Sequence, residues 1–196
     1  MQRPTKEQIR ELPIYAGLTM EQITIVECES DVATALTALA NEALLGFDTE
    51  SKPTFLKGEV SGGPTLIQLA TATQAFLFPT RFPCAVAAAK TLLNDANIKK
   101  VGFGLKGDKK ELRSKFGIDI ANIQDLAVDL RILIGEKGDI GARAAVAMLL
   151  MQRLSKGAQK SNWGAFPLKE HQIEYAANDA HAAICVANRL QEHWQR

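Results

Sequence analysis

An α/β domain, built on a mixed sheet with helices on both of its faces, is the fold this sequence predicts. Three observations predict it: short strand-like segments form a hairpin early, strand and helix patterns alternate behind it, and a helical stretch closes the chain. At 196 residues the chain is the size of one domain with a substantial core.

The elements follow in order. Residues 1–20 read as a loosely attached lead-in, with a short helix at 5–11 and an apolar anchor at Ile14-Tyr15, and residues 21–196 form the domain proper. Ile23–Glu27 has strand character, and Ser30 is placed to cap a helix running to about Glu42. Leu44–Glu50 is a second strand. Thr65–Ala72 and Gln74–Phe78 are a third and a fourth, so close together that a hairpin is natural. A helix at about 84–95, a strand at Lys99–Leu105 and a helix at about 107–116 come next. Residues 123–134 fit either element type, 140–154 is helical, and a long helix spans about Lys169 to Trp194. Ser51–Pro64, with Lys52-Pro53, Gly58, Gly62 and Gly63, is too long for a simple connection and is expected to be functional.

Composition narrows the classes. The 46% apolar and 23% charged content is that of an ordinary globular protein, and no apolar run reaches the roughly 18 residues of a membrane span. The N-terminus lacks an apolar leader, so a cytoplasmic or nuclear location is expected. Cys28, Cys84 and Cys185 form no C-x-x-C pair; they indicate neither a zinc site nor a disulfide framework and are expected to be reduced and mostly buried. Net charge is only +1, yet Lys99, Lys100, Lys106, Lys109, Lys110, Arg113 and Lys115 are opposed locally only by Asp108 and Glu111. Such a run is either a solvated helix face or a phosphate-binding surface.

Three places could carry chemistry. In the strand Leu44–Glu50 alternate residues share a face, so Leu44, Gly46, Asp48 and Glu50 point one way. Two carboxylates side by side at a strand end repel unless a cation lies between them. In the last helix, Glu174, Asn178, His181 and Asn188 form a solvent face, while Asp179 falls in the sector of Tyr175, Ala183, Val186 and Leu190. An ionised carboxylate among apolar neighbours is costly unless paired or bound to metal, and Tyr175 stands one turn before it. Third, Val101-Gly102-Phe103-Gly104-Leu105-Lys106-Gly107-Asp108 runs from a strand through a glycine-punctuated turn to an acid at a helix start.

With those residues in view, the chain resembles the DEDDy branch of the DnaQ-like 3′→5′ exonucleases over roughly residues 23–193, in the form of its Werner-type members. Phe47-Asp48-Thr49-Glu50 is similar to the first family motif and Leu66-Ile67-Gln68-Leu69 to the strand after it. Val101 through Asp108, with its G-x-x-G-D ending, is similar to the second. Ser161-Asn162-Trp163, Phe166-Pro167-Leu168 and Tyr175-Ala176-Ala177-Asn178-Asp179-Ala180 are similar to the third and its lead-in. The resemblance implies a ribonuclease H-like fold and metal ligands Asp48, Glu50, Asp108 and Asp179, with Tyr175 orienting the attacking water. It implies two divalent ions, Mg²⁺ or Mn²⁺, and release of nucleoside 5′-monophosphates from the free 3′ end of a nucleic acid, DNA before RNA. An RNA 3′-end trimmer of the ribonuclease D kind and a non-catalytic nucleic-acid-binding domain are the alternatives. Lys106, Lys109, Lys110, Phe55, Leu56 and Trp163 are the expected contacts to the nucleic acid.

Overall fold

The computed structural model describes residues 2–53, 62–155 and 157–194, with residues 193 and 194 described by backbone alone. Its elements are α1 (Lys6–Glu11), β1 (Ile23–Ile25), α2 (Glu29–Leu39), β2 (Leu44–Ser51), β3 (Pro64–Ala70), β4 (Ala75–Pro79), α3 (Pro83–Asn94), β5 (Lys99–Gly102), α4 (Lys106–Phe116), β6 (Ile123–Asp125), α5 (Leu126–Ile134), α6 (Ala142–Leu150) and α7 (Glu170–Trp194). The six strands form one sheet in the order β1-β4-β3-β2-β5-β6. Only β3 runs against its neighbours; β1 with β4, β2 with β5 and β5 with β6 pair in parallel. This is the mixed sheet that the sequence pattern predicts, in the ribonuclease H-like arrangement that the resemblance implies.

Alternation along the strands sorts the core into two layers. Leu45, Phe47, Ile67, Leu69, Phe76 and Phe78 pack under α2, α3 and α4. Leu66, Ala70, Ala75 and Leu77 face the other way, onto Ile173, Ala176, Ala177 and Ala180 of α7. Small residues on α7 let it press close: a Cβ on Gly46 of β2 would lie 1.9 Å from the Ala180 carbonyl oxygen. A second cluster joins α5, α6 and the later half of α7 through Leu130, Ala145, Val146 and Val186.

Several expectations are corrected. The lead-in is tied down: Arg153 N–H donates to the Pro13 carbonyl at 2.8 Å, Tyr15 N–H to the Arg153 carbonyl at 3.0 Å, and the Arg153 Nε–H to the Leu12 carbonyl at 2.8 Å. It covers part of α7 that a helical wheel assigns to solvent. Leu18 N–H donates to Asn178 Oδ1 at 2.8 Å, and His181 is buried between Tyr15 and the β3–β4 turn. His181 Nε2 lies 3.0 Å from the Ala72 carbonyl, which can only accept, so Nδ1 accepts the Tyr15 hydroxyl proton at 2.8 Å. Of the apolar anchor pair, Ile14 is exposed and Tyr15 does the packing.

Helix α2 starts at Glu29, its entry held by Asp31 accepting from the Glu27 and Cys28 amides, rather than by a Ser30 cap. Cys28 is exposed, and Cys84 and Cys185 are half-buried, so the thiols are less buried than free cysteines usually are. The ambiguous 123–134 segment is strand then helix, divided at Asp125, whose carboxylate caps α5 by accepting from Ala127 N–H. The same carboxylate accepts from the amides of Gly104 and Leu105, which ends β5 at Gly102, earlier than periodicity indicates.

Candidate active site

β2 and β5 pair only over Leu44–Gly46, and beyond that they part. Gly102 packs against the Phe47 carbonyl oxygen, where a Cβ would approach to 2.4 Å, and the chain then turns through Gly104 at φ +71°. The crevice that opens at the carboxyl ends of these two parallel strands is where open α/β sheets place their ligands. Asp48 and Glu50 sit on its β2 edge, on the α7 face. Asp108 enters from the first turn of α4, and Tyr175 and Asp179 come down from α7. All five line one cleft of about 1160 Å³.

These acids perturb one another. Asp48 is pushed well above the usual carboxylate range, by burial first and then by Asp179, Asp108 and Glu50. Glu50 rises to about 8 through burial, with Asp179 and Asp108 adding to it. Asp179 rises to about 6 through burial, while the Tyr175 hydroxyl, one turn away and placed to donate to it, pulls the other way. Asp108 is also raised by burial, against the Thr49 hydroxyl that donates to it. Burial, then the charge of Asp179, pushes the Tyr175 phenol up, so at neutral pH it is a donor and not a base.

Among the described residues no Lys or Arg lies within 4 Å of any of these four carboxylates. As the side chains stand, no three described His, Cys, Asp or Glu groups converge on one point. Asp108 is turned to Thr49, while Asp48 accepts the Thr49 amide at 2.8 Å. An all-oxygen donor set that is mutually repulsive and lacks a side-chain counter-ion suits a hard divalent cation. The donor types fit the metal centre that the resemblance implies, and gathering them on an ion would need side-chain rotations, that of Asp108 away from Thr49 among them.

The other residues expected to meet nucleic acid are placed differently. Trp163 is 2% exposed and stacks at a tilt 6.1 Å from Tyr175 within the core, so it backs the tyrosine and offers no surface to a strand; the expectation of a nucleic-acid contact is corrected. Lys106, Lys109 and Lys110 are exposed, but they line with Arg113 a separate concavity of about 680 Å³. They occupy a different side of α4 from Asp108. Phe55 and Leu56 lie outside the described residues.

The structure adds residues that the sequence pattern does not single out. Gln68 pairs in register with Asp48 on β3, is fully buried, and has no partner for either amide atom among the described residues. A glutamine inside the apolar run Leu66–Ala70 was the available signal. Arg143 at the start of α6, and Arg3, Lys6 and Arg10 of the lead-in, also line the cleft. Nothing in their spacing sets them apart from surface charge.

The sequence profile of the 3′-5′ exonuclease family matches residues 23–195. The chain is 29% identical to a 3′-5′ exonuclease of Arabidopsis thaliana over 147 residues, 72% of this chain and 50% of the relative. It is also 29% identical to the bifunctional 3′-5′ exonuclease/ATP-dependent helicase WRN of Mus musculus, over 78% of this chain and 11% of that protein. It therefore spans half or less of these relatives' length. Two solved structures share the fold: the Aedes aegypti Nibbler EXO domain, at TM-score 0.79, 22% identity and 91% coverage of both chains, and Trypanosoma brucei RNase D complexed with RNA U12, at 0.77, 21% identity, 94% of this chain and 64% of that one.

Proposed function

The chain belongs to the 3′-5′ exonuclease family, and from that premise we propose that it removes nucleoside 5′-monophosphates from the 3′ end of a nucleic-acid strand by metal-dependent hydrolysis. The observation that carries the proposal is the meeting of Asp48, Glu50, Asp108 and Asp179 in one cleft, with no Lys or Arg within 4 Å of their carboxylates among the described residues. Burial and mutual repulsion hold their proton affinities high, which is the state of a site that needs cations to be ionised together.

Asp48, Glu50, Asp108 and Asp179 would hold the metal, Mg²⁺ first and Mn²⁺ as substitute, with two ions as the expected number. Bound there, such ions acidify water and offset the charge that grows on the phosphate. The protein's own contribution is placement. Tyr175, kept protonated, donates to Asp179 or to the attacking water and fixes its direction. Trp163 holds that ring from behind. The close fit of Gly46 on Ala180 sets the distance between the β2 acids and the α7 acid.

DNA is the first substrate proposed, because Gly104-Leu105-Lys106-Gly107-Asp108 has the Werner-type form. RNA is the second reading, favoured by the likeness to a fold-mate solved with RNA U12. The lysine concavity on α4 is a candidate for phosphates lying beyond the cleft. Incubation of 5′-labelled DNA and RNA of one sequence with Mg²⁺, Mn²⁺ or EDTA tests the proposal. A one-nucleotide ladder from the 3′ end, present with metal and absent in EDTA and in Asp179→Asn, is expected. Cleavage that persists in EDTA, or internal cuts, would overturn it.

A further inference from the structure

Four cations, Arg3, Lys6, Arg10 and Arg143, line the cleft that holds the acids, and three of them come from outside the family match. Residues 23–195 carry the family resemblance, yet Arg3, Lys6 and Arg10 of the lead-in reach the same cleft as Asp48 and Asp179. Their position is fixed by the fold. Ile9 buries the inner face of α1, Thr5 caps it, and the Arg153 and Asn178 hydrogen bonds anchor the chain behind it. Lys6 and Arg10 are four apart and share one side of α1. None of the three forms an ion pair among the described residues.

Arg143 strengthens the case. Its Nε–H is buried and has no partner among the described residues, although Arg143 lines a cleft containing carboxylates. A buried N–H without an acceptor is a cost that a ligand acceptor would remove. Of the other acids on this cleft, Asp139 is held by Arg131 at 3.2 Å, and Glu111 stands on the α4 side with Asp108. On α1 itself Lys6 and Arg10 act on Glu7, and none of the four cations is ion-paired with an acid of the site among the described residues.

We propose that α1 and Arg143 form a phosphate-holding wall, binding the backbone on the 5′ side of the scissile linkage so that the terminal phosphodiester is delivered to the acids. This inference rests on the exonuclease reading for its substrate, but binding can be measured without hydrolysis. The acids repel phosphates wherever they are not neutralised, so a strand needs this opposing wall to stay seated. Arg143, with its planar fork, suits a fixed position next to the reacting phosphate, and the exposed α1 cations suit successive ones.

The test uses the full chain and a 5′-fluorescein 12-nucleotide single strand. Binding is followed by anisotropy in EDTA from 25 to 200 mM KCl. Three proteins are compared with the wild type: Arg3→Glu/Lys6→Glu/Arg10→Glu, Arg143→Gln, and Lys90→Glu/Lys169→Glu/Arg189→Glu, which makes the same charge change at exposed positions that do not line the cleft. Each phosphate that the protein no longer neutralises lowers the salt slope by about 0.7. The α1 variant should lose about two units of slope and Arg143→Gln somewhat under one, with KM rising more than kcat falls when metal is restored. The distant variant should keep the wild-type slope to within the long-range effect of its charge. Slopes for the α1 variant equal to those of the distant variant, or no binding by the wild type, would overturn the wall. Wild-type binding without any hydrolysis would instead remove the exonuclease reading and leave the wall standing or falling on the slopes.

Discussion

Gly46→Ala offers the sharpest perturbation of the site by a residue that takes no part in it. The new Cβ would lie 1.9 Å from the Ala180 oxygen and 2.9 Å from its carbonyl carbon, both of them backbone, where ordinary contact begins at 3.4 Å. Neither atom can rotate away, so β2 and α7 must separate by about 1.5 Å or bend. Overpacking of that size in a core costs about 3 kcal/mol, which lowers the melting temperature by roughly 6–12 °C in a domain of this size. The same displacement moves Asp179, adjacent to Ala180, from Asp48, two residues beyond Gly46. Misplacement of about 1 Å costs on the order of 100-fold in rate. Thermal unfolding, metal-dependent release of nucleotides and the shift in melting temperature on adding Mn²⁺ together report the outcome. The expected result is a folded, less stable protein whose turnover falls about 100-fold and whose Mn²⁺ stabilisation shrinks. Wild-type turnover with the stability loss, or no change in either, would refute the claim that this contact sets the spacing of the acids.

Two further outcomes are expected. Carboxyls whose folded pKa values are raised favour the folded state fully below their unfolded values near 4, and that contribution is lost as pH rises through about 6 for Asp179 and about 8 for Glu50. Glu50→Gln should therefore match the metal-free wild type near pH 4 and exceed it by about 1–2 kcal/mol at pH 9 once solvent screening is allowed for, as read by denaturant unfolding; equal stability at both ends would refute the cost assigned to ionising Glu50, burial first and its acidic neighbours second. Tyr175→Phe should lower kcat by about 10- to 100-fold with little change in strand binding, and an unchanged kcat would remove the hydroxyl from the chemistry.

Much of this was legible in the sequence, and the residues show why. Asp48 and Glu50 stood out because a two-residue period put them on one side of an apolar strand. Asp179 stood out because a 3.6-residue period put it in an apolar sector, and that sector runs from the α6 contact into the cleft. Periodicity fails where polarity is covered by something distant in the chain. Asn178 and His181 read as solvent-facing because the wheel cannot show that Leu18 and Tyr15 lie over them. The same blindness hid the orientation of the lysines: spacing gathers Lys106, Lys109 and Lys110, but only the docking of α4 shows that Asp108 looks elsewhere. Arg143 and the α1 cations were invisible because their significance is a matter of what stands opposite them.

The order in which the chain is made gives one feature a consequence of its own. Helix α7 follows all the other described elements in sequence, and it packs across β1 to β5 while delivering Tyr175 and Asp179. A nascent chain can form the hairpin and much of the sheet before α7 has left the ribosome. Such an intermediate carries Asp48, Glu50 and Asp108 but lacks Tyr175 and Asp179, so the proposed site is completed only when α7 joins the sheet.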